Sequence, residues 1–132
     1  ASLFNAKTFH DFVMNAYHNL CAITHRVISY NGFSNLEAAH ILPKAHKGAY
    51  LPCNGIAMSK DMHFAFDKGF FTIDEDYKIL VHPDVERVGS YLNDYNRTCM
   101  YLPQEDFFRP RQEFLEYHRA NIYGTFKQIR AI

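Results

Sequence analysis

A strand pattern, a loop and a helix pattern follow one another between residues 36 and 67, and each carries one prominent polar residue. The apolar stretch 36–41 has the character of a strand and carries His40 near its end, and the loop that follows contains Asn54 beside a glycine. Ser59 is a good N-cap, so a helix is predicted to begin there, with His63 in its first turns. This order constrains the fold more than any other feature, because it brings the two histidines together.

The predicted helix also carries Asp67, four residues after His63. Residues four apart on a helix lie on one face, and an imidazole and a carboxylate so placed can hold one divalent ion. His40, at the strand end opposite such an ion, could accept a proton from water, since the pKa of histidine lies near neutrality. Asn54 offers a donor and an acceptor and is predicted to hold the loop and orient His40.

Each of these residues also has an ordinary structural explanation. A histidine beside an apolar strand is more often a packed residue than a base, by roughly three to one. A His–Asp pair one turn apart is usually a surface pair, and Asn-Gly is usually only a turn. The combination, in this order and at these short spacings, favours the functional explanation.

The flanking segments predict a mixed α+β domain around this unit. Thr8 resembles an N-cap, and the other elements follow from apolar periodicity and turn signals. The predicted elements are helices over about 8–18 and 110–123, strands over 21–29, 33–41 and 98–102, a turn at Asn31-Gly32, a short helix within 83–94, and a hairpin over 70–81 after the helix that carries His63.

Length and composition indicate a single domain and exclude several classes of protein. It has 132 residues, of which 48% are apolar, so a substantial core is expected. No apolar run reaches the ~18 residues of a membrane span, so no membrane association is predicted. The 3 cysteines are scattered, which argues against disulfides or a four-cysteine zinc site and favours a reducing cytoplasm.

The charge balance bears on nucleic-acid binding. The net charge is zero, with 14 basic and 14 acidic residues, whereas phosphate binding normally leaves a basic surplus. Four cationic side chains nevertheless lie near the two histidines in sequence. The predicted DNA phosphate contacts are Arg26, Lys44, Lys47 and Lys60.

These motifs together resemble the HNH endonucleases, the ββα-metal nuclease superfamily. The resemblance is carried by Cys-Ala-Ile-Thr from Cys21, Leu-Glu-Ala-Ala-His-Ile from Leu36, Asn-Gly-Ile-Ala-Met-Ser from Asn54, and His-Phe-Ala-Phe-Asp-Lys-Gly from His63. It is strongest to the nuclease domain found at the C-terminus of bacterial restriction endonucleases. The expected fold is therefore a ββα-metal core over residues 21–81 within a single domain, 1–132, with flanking N- and C-terminal helices.

The resemblance implies roles for single residues. His40 corresponds to the family's general base, Asn54 to the residue that braces the loop, and His63 to the last motif residue, a metal ligand. Asp67 corresponds to a further ligand position. The implied cofactor is one divalent ion, with Mg²⁺ favoured over Mn²⁺ or another transition metal, and the implied products carry 5′-phosphate and 3′-hydroxyl ends.

One position departs from the family pattern. Many members carry Asp or His directly before the base as a metal ligand, and here that residue is Ala39. Strand side chains alternate, so Glu37 shares a face with residue 39. Two hypotheses follow: Glu37 is a metal ligand or a brace of the site, or it only pairs with a nearby Lys or Arg.

The predicted function is a metal-dependent DNA endonuclease, the cleavage module of a restriction enzyme. The alternative is a catalytically silent module of the same fold that binds nucleic acid or another protein, which zero net charge and Ala39 favour. A structural zinc module is disfavoured, because Cys21, His25 and Cys53 lack a fourth well-spaced ligand. No base-reading helix is evident, so specificity is assigned to a homodimer partner or to a recognition domain preceding Ala1.

Overall fold

The computed structural model describes residues 5–129, without the side chain of residue 129, as a mixed α+β fold of short elements. Turns of 3-10 helix lie at 44–46, 52–54, 91–95 and 106–108. The regular elements are α1 (Ala6–Ala16), β1 (Ser29–Tyr30), β2 (Phe33–Ser34), β3 (Leu36–His40), β4 (Gly55–Ser59), α2 (Lys60–Asp67), β5 (Phe71–Ile73), β6 (Ile79–Val81), α3 (Pro83–Val88), α4 (Gln112–Asn121) and α5 (Phe126–Ile129). The predicted α+β class is confirmed.

The antiparallel pair β3–β4 is the centre of the fold. Its register places Leu36 opposite Ser59 and His40 opposite Gly55. Both α1 and α2 pack against this pair. A side chain at Gly55 would collide with α1, because its Cβ would lie 2.5 Å from Cγ2 of Val13. Glycine at this position therefore lets α1 approach the strand that faces the end of β3.

Elements from the second half of the chain pack against α2. The hairpin β5–β6 follows α2, as predicted, and pairs Phe71 with Val81 and Ile73 with Ile79. Helix α4 packs against β5. The core runs continuously from α1 through β4 to these elements, because residues of all of them are buried in one cluster. No helix within residues 5–129 combines the length and the apolar character that crossing a membrane requires.

Two predicted strands are wrong. Residues 22–25 form a turn that His25 closes with a positive φ of 61°. Only Ser29 of the predicted strand 21–29 lies in a sheet, as the first residue of β1. The segment 98–102 contributes a single bridge, between Cys99 and Lys78. Backbone bonds hold residues 98–101 to Tyr77, Ile79 and Ala22, and Ala22 also bonds to Ala57, but neither segment forms a continuous ladder within the described residues.

Two helix boundaries also differ from prediction. Helix α1 begins two residues early, because Asn5 is the N-cap and Thr8 occupies the third position of a reciprocal capping box. Helix α4 begins at Gln112, so Pro110 lies before the helix and not at its first position. The turn at Asn31-Gly32 is confirmed, with φ of 46° and 84°, and the predicted strand 33–41 is interrupted at Asn35.

Candidate active site

His40 stands at the end of β3 between two aromatic rings. It stacks on Phe9 of α1, with ring centroids 4.5 Å apart, and meets Tyr50 edge-on at 5.3 Å. Its Nε2 is buried and has no hydrogen-bond partner among residues 5–129. Burial lowers the pKa of His40 below its usual 6.5, and the charge of Lys44 lowers it further. His40 is therefore neutral at neutral pH and able to accept a proton.

Asn54 is fully buried and holds the loop that follows β3. Its Oδ1 accepts from the backbone N–H of Leu42 at 2.8 Å. Its Nδ2 donates to the carbonyls of Leu42 and Ala49, at 3.1 Å each. The backbone carbonyl of Asn54 accepts from the N–H of Ile41. These bonds fix the chain on the C-terminal side of His40, and no hydrogen bond joins the two side chains themselves within the described residues.

His63 lies in α2 between two carboxylates, one at each ring nitrogen. Nδ1 is 2.8 Å from Oε1 of Glu37, and Nε2 is 3.1 Å from Oδ2 of Asp67, one helical turn on. The other oxygen of Glu37 receives Lys60 Nζ at 3.3 Å. Glu37 thus contacts His63, as expected of a brace of the site, and also pairs with a lysine, as the second hypothesis drawn from the sequence expects.

The two carboxylates shift the charge state of His63. The hydrogen bond to Asp67 contributes most to raising the pKa of His63 above 6.5, and Glu37 adds to it against the opposing effect of burial. The hydrogen bond to His63 in turn lowers the pKa of Glu37. His63 has to release a proton before a cation can bind its nitrogen, so binding of a metal here would become stronger as pH rises.

The pair His63–Asp67 fits one divalent cation. A separation of 3.1 Å between Nε2 and Oδ2 is close to the distance between neighbouring ligands in an octahedral shell with bonds of about 2.1 Å. Glu37 lies at the opposite ring nitrogen and so faces away from such a position. Within residues 5–129, no group of three or more His, Cys, Asp or Glu side chains is arranged to hold a metal.

One cavity of about 340 Å³ joins the strand end to the helix. It brings the side chains of His40, His63 and Asp67 to the same space, where Lys44 and His46 also lie. Nδ1 of His46 is 2.7 Å from the hydroxyl of Tyr117, which holds that ring at the cavity edge. The cavity is large enough for a phosphate group and its first water shell.

The four predicted phosphate contacts are placed differently around this cavity. Lys44 lines it and also contacts Tyr50 through its ammonium group. Lys60 reaches the region through its ion pair with Glu37. Arg26 and Lys47 are exposed, and neither lines the cavity. The structure therefore places Lys44 at the cavity and Lys60 outside its lining, beside the Glu37–His63 pair, and the other two predicted contacts at neither.

His118 of α4 supports α2 from the core side. It is 1% exposed and stacks on Phe66, with centroids 3.8 Å apart. Nε2 lies 3.0 Å from the Phe66 carbonyl, to which it donates, and Nδ1 accepts from the Thr72 hydroxyl at 2.7 Å. Burial lowers the pKa of His118 to about 4. A neutral, fully bonded histidine thus anchors the C-terminal turn of the helix, next to Asp67.

Sequence reasoning missed the partners that surround the predicted residues. Phe9 belongs to an amphipathic stripe and is expected in the core, but nothing in the stripe indicates a contact with His40. Tyr117 and His118 lie on a helix more than fifty residues further along the chain, and the only signal is that a polar histidine falls on the apolar face of α4.

A second, larger cavity has a different character. Its volume is about 840 Å³, and its lining is mostly apolar, with Phe64, Phe70 and Val88. It contains neither His40 nor His63. Volume alone therefore does not identify the reactive site, because the smaller cavity holds the titratable groups.

Comparison with known proteins matches the part of the chain that contains these residues. Residues 21–74 match the model of a family described as HNH endonuclease. A solved structure, the modification dependent TagI restriction endonuclease, superimposes with a TM-score of 0.70 at 20% sequence identity. The match covers 92% of this chain and 39% of that chain, so this chain spans well under half the length of that protein. No curated protein matches the chain.

Proposed function

Because this chain is a nuclease with an HNH endonuclease core at residues 21–74, we propose that it hydrolyses DNA phosphodiester bonds with the help of one divalent cation. His40 is assigned as the general base, and His63 with Asp67 as the cation ligands. The proposal takes residues 1–132 as one nuclease domain that acts as the cleavage module of a restriction enzyme.

The observation that carries this proposal is the burial of His40 together with its unpaired ring nitrogen. His40 lines the cavity that also contains the two proposed ligands, and its Nε2 is buried without a partner among residues 5–129. A buried polar atom is almost always hydrogen-bonded, so a nitrogen left without a partner inside the protein points to a bond with water or substrate. The lowered pKa keeps the imidazole neutral, so that one ring nitrogen is free to accept a proton, as a base requires.

The packing around His40 supports the same role. The ring is held between Phe9 and Tyr50, and Asn54 fixes the backbone directly after the strand. A base contributes most when its position is fixed before the reaction. Asn54 is therefore proposed as a positioning residue, since its bonds end on backbone atoms of the loop.

Glu37 is proposed to position His63 and not to bind the cation. With its Nδ1–H donated to Glu37, the ring of His63 presents Nε2 as the lone-pair nitrogen, beside Asp67. When bound, a divalent cation would act as a Lewis acid on a phosphoryl oxygen and stabilise the leaving oxygen. Mg²⁺ is the favoured ion, because two protein ligands leave room for phosphate oxygens and water.

Plasmid cleavage tests the function. Supercoiled DNA incubated with the protein and Mg²⁺ or Mn²⁺ is expected to become nicked and then linear, and EDTA is expected to stop the reaction. Gel separation of the three plasmid forms measures the rate. Salt-sensitive DNA binding with no cleavage in any divalent ion would contradict the proposal and favour a catalytically silent binding module.

Replacing Asp67 with asparagine tests the ligand assignment. The variant is expected to need about 10-fold to 100-fold more Mn²⁺ for half-saturation, because it loses the charged partner of His63 in the cation site. Titration calorimetry without DNA measures this affinity independently of activity. Asp76→Asn, an exposed carboxylate in the turn after β5, is the control. Equal Mn²⁺ affinity in wild type and Asp67→Asn would show that Asp67 is not a ligand of the cation.

Sequence specificity is proposed to lie outside this domain. The solved relative is a modification dependent restriction endonuclease by its title, and this chain corresponds to 39% of its length. We propose that a recognition domain or a second copy of the chain selects the DNA, while Lys44 and Lys60 contact phosphates beside the cavity.

A further inference from the structure

A small hairpin directly before the catalytic strand exposes three large apolar side chains. Strands β1 and β2 contain two residues each, and every residue in them is exposed. Ile28, Tyr30 and Phe33 are exposed to 77%, 77% and 79%. Such exposure of neighbouring large apolar groups is unfavourable in water and marks an interaction surface.

The three side chains lie on one face of the hairpin. Tyr30 pairs directly with Phe33 across the Asn31-Gly32 turn, and residues opposite each other in an antiparallel pair share a face. Ile28 lies two residues before Tyr30, so it falls on that face as well. Ser29 and Ser34, which pair with each other, form the other face. The result is an aromatic face at the tip of a projecting hairpin, here called the aromatic hairpin (residues 28–34).

The aromatic hairpin is held at its base and contributes nothing to the core. Asn35 binds Ile28 twice, through its backbone N–H and through its side-chain oxygen. The carbonyl of Asn35 accepts from the N–H of Lys60, the first residue of α2. The hairpin is therefore tied rigidly to both the strand that carries His40 and the helix that carries His63, while its apolar face stays open.

The charge around the hairpin indicates a polyanion as its partner. Between Asp11 and Glu37 the chain has no acidic residue, although it is neutral overall. Arg26 lies exposed directly before the hairpin. Lys60, whose backbone bonds to the base of the hairpin, balances the charge of the neighbouring Glu37 through their ion pair. The exposed hairpin therefore lacks negative side chains that would repel the phosphates of a nucleic acid.

The shape of the face favours DNA as the partner. Tyr30 and Phe33 are direct cross-strand neighbours beside the two-residue turn, and both are largely exposed. Two neighbouring aromatic rings at the end of a hairpin match the apolar wedges that enter a DNA groove and unstack a base step. Shape and local charge together, and not the area of the face, therefore select DNA over a second copy of the chain.

We propose that the aromatic hairpin is a DNA wedge, whose Tyr30 and Phe33 rings insert at a base step beside the scissile phosphate. This inference rests on the proposed function. At about 3.3 Å per residue, the chain from Phe33 to His40 spans at most about 23 Å. That is less than one turn of duplex, which is about 34–36 Å. The wedge and the base thus engage the same stretch of DNA, so the wedge bends the strand that is cut.

The test compares wild type with the double variant Tyr30→Ser/Phe33→Ser on a short duplex that contains 2-aminopurine, in EDTA so that no cleavage occurs. Wild type is expected to raise the 2-aminopurine fluorescence, which reports unstacking. The double variant is expected to lose this rise and to bind about 10-fold to 100-fold more weakly by anisotropy. Phe107→Ser, which removes an aromatic ring exposed to 66% elsewhere, is the control and should behave as wild type.

The outcomes separate the wedge from the proposed function. Equal fluorescence and affinity in wild type and the double variant would overturn the wedge, and plasmid cleavage would then still stand by itself. Loss of plasmid cleavage in every divalent ion, with a hairpin-dependent fluorescence rise, would overturn catalysis but support the wedge. A dimer in sedimentation that the double variant converts to monomer would assign the face to a second copy and overturn the wedge. An unchanged urea midpoint in the double variant shows that the fold is intact.

Discussion

Replacing His40 with alanine is expected to lower the rate of plasmid cleavage by about 10²–10⁴-fold, the usual contribution of a general base. The reason is that His40 lines the cavity shared with His63 and Asp67, and its Nε2 is buried without a partner within residues 5–129. Affinity for Mn²⁺ should change little, since His40 is not among the proposed ligands. Added imidazole should restore part of the rate by entering the space between Phe9 and Tyr50.

The matched control is His10→Ala, which removes an exposed histidine from α1 and should cleave as wild type does. The pH profile gives a second check. Because the folded pKa of His40 lies below 6.5, the wild-type rate at saturating metal should rise with pH and level off at a lower pH than it would with an unperturbed histidine. Undiminished cleavage by His40→Ala, with an unchanged profile, would show that another group activates the water.

Acidification is expected to remove about 3 kcal/mol of stability through His118 alone. Its pKa is about 4 in the folded protein, because burial disfavours the charged form, against the ordinary 6.5 of an unfolded chain. Between these values the unfolded state binds more protons, so the free energy of unfolding falls as pH drops from 6.5 towards 4. The contribution is fully present above pH 6.5. Urea unfolding at pH 7, 5.5 and 4 measures it.

His118→Leu is the comparison that isolates this effect. The variant should be less stable than wild type at pH 7, because Thr72 and the Phe66 carbonyl each lose a partner inside the core. Its disadvantage should shrink by about 3 kcal/mol at pH 4, since leucine has no proton to bind. Titrations of His40, His63 and the carboxylates occur in both proteins and cancel in the difference. A constant difference across this pH range would rule out the proposed titration of His118.

The parts of this protein that could be predicted from sequence are those fixed by short-range spacing. The order of β3, the loop with Asn54 and α2 follows from strand alternation, a turn signal and an N-cap within residues 36–67. The i, i+4 placement of His63 and Asp67 is a property of any helix. The turn at Asn31-Gly32 needs only two residues that tolerate positive φ, and it formed as predicted.

The wrong predictions concern segments whose structure depends on distant partners. Residues 22–25 and 98–102 have strand-like composition, but neither finds a neighbouring strand to pair with along its length. Ala22 instead makes one bond to Ala57 and one to Tyr101. Local propensity could not reveal this, because a strand is stabilised by its ladder and not by its own sequence.

The sequence by itself determined which residues are proposed to carry the chemistry, because His40, Asn54, His63 and Asp67 lie within one continuous unit of local structure. Only the tertiary structure decided how each of these residues is buried, oriented and held in place. Phe9 buries His40, Glu37 orients His63 from the opposite nitrogen, and His118 anchors α2 from the core. These contacts join residues up to 52 positions apart, and their geometry is set by packing of the whole domain, which no short-range pattern encodes.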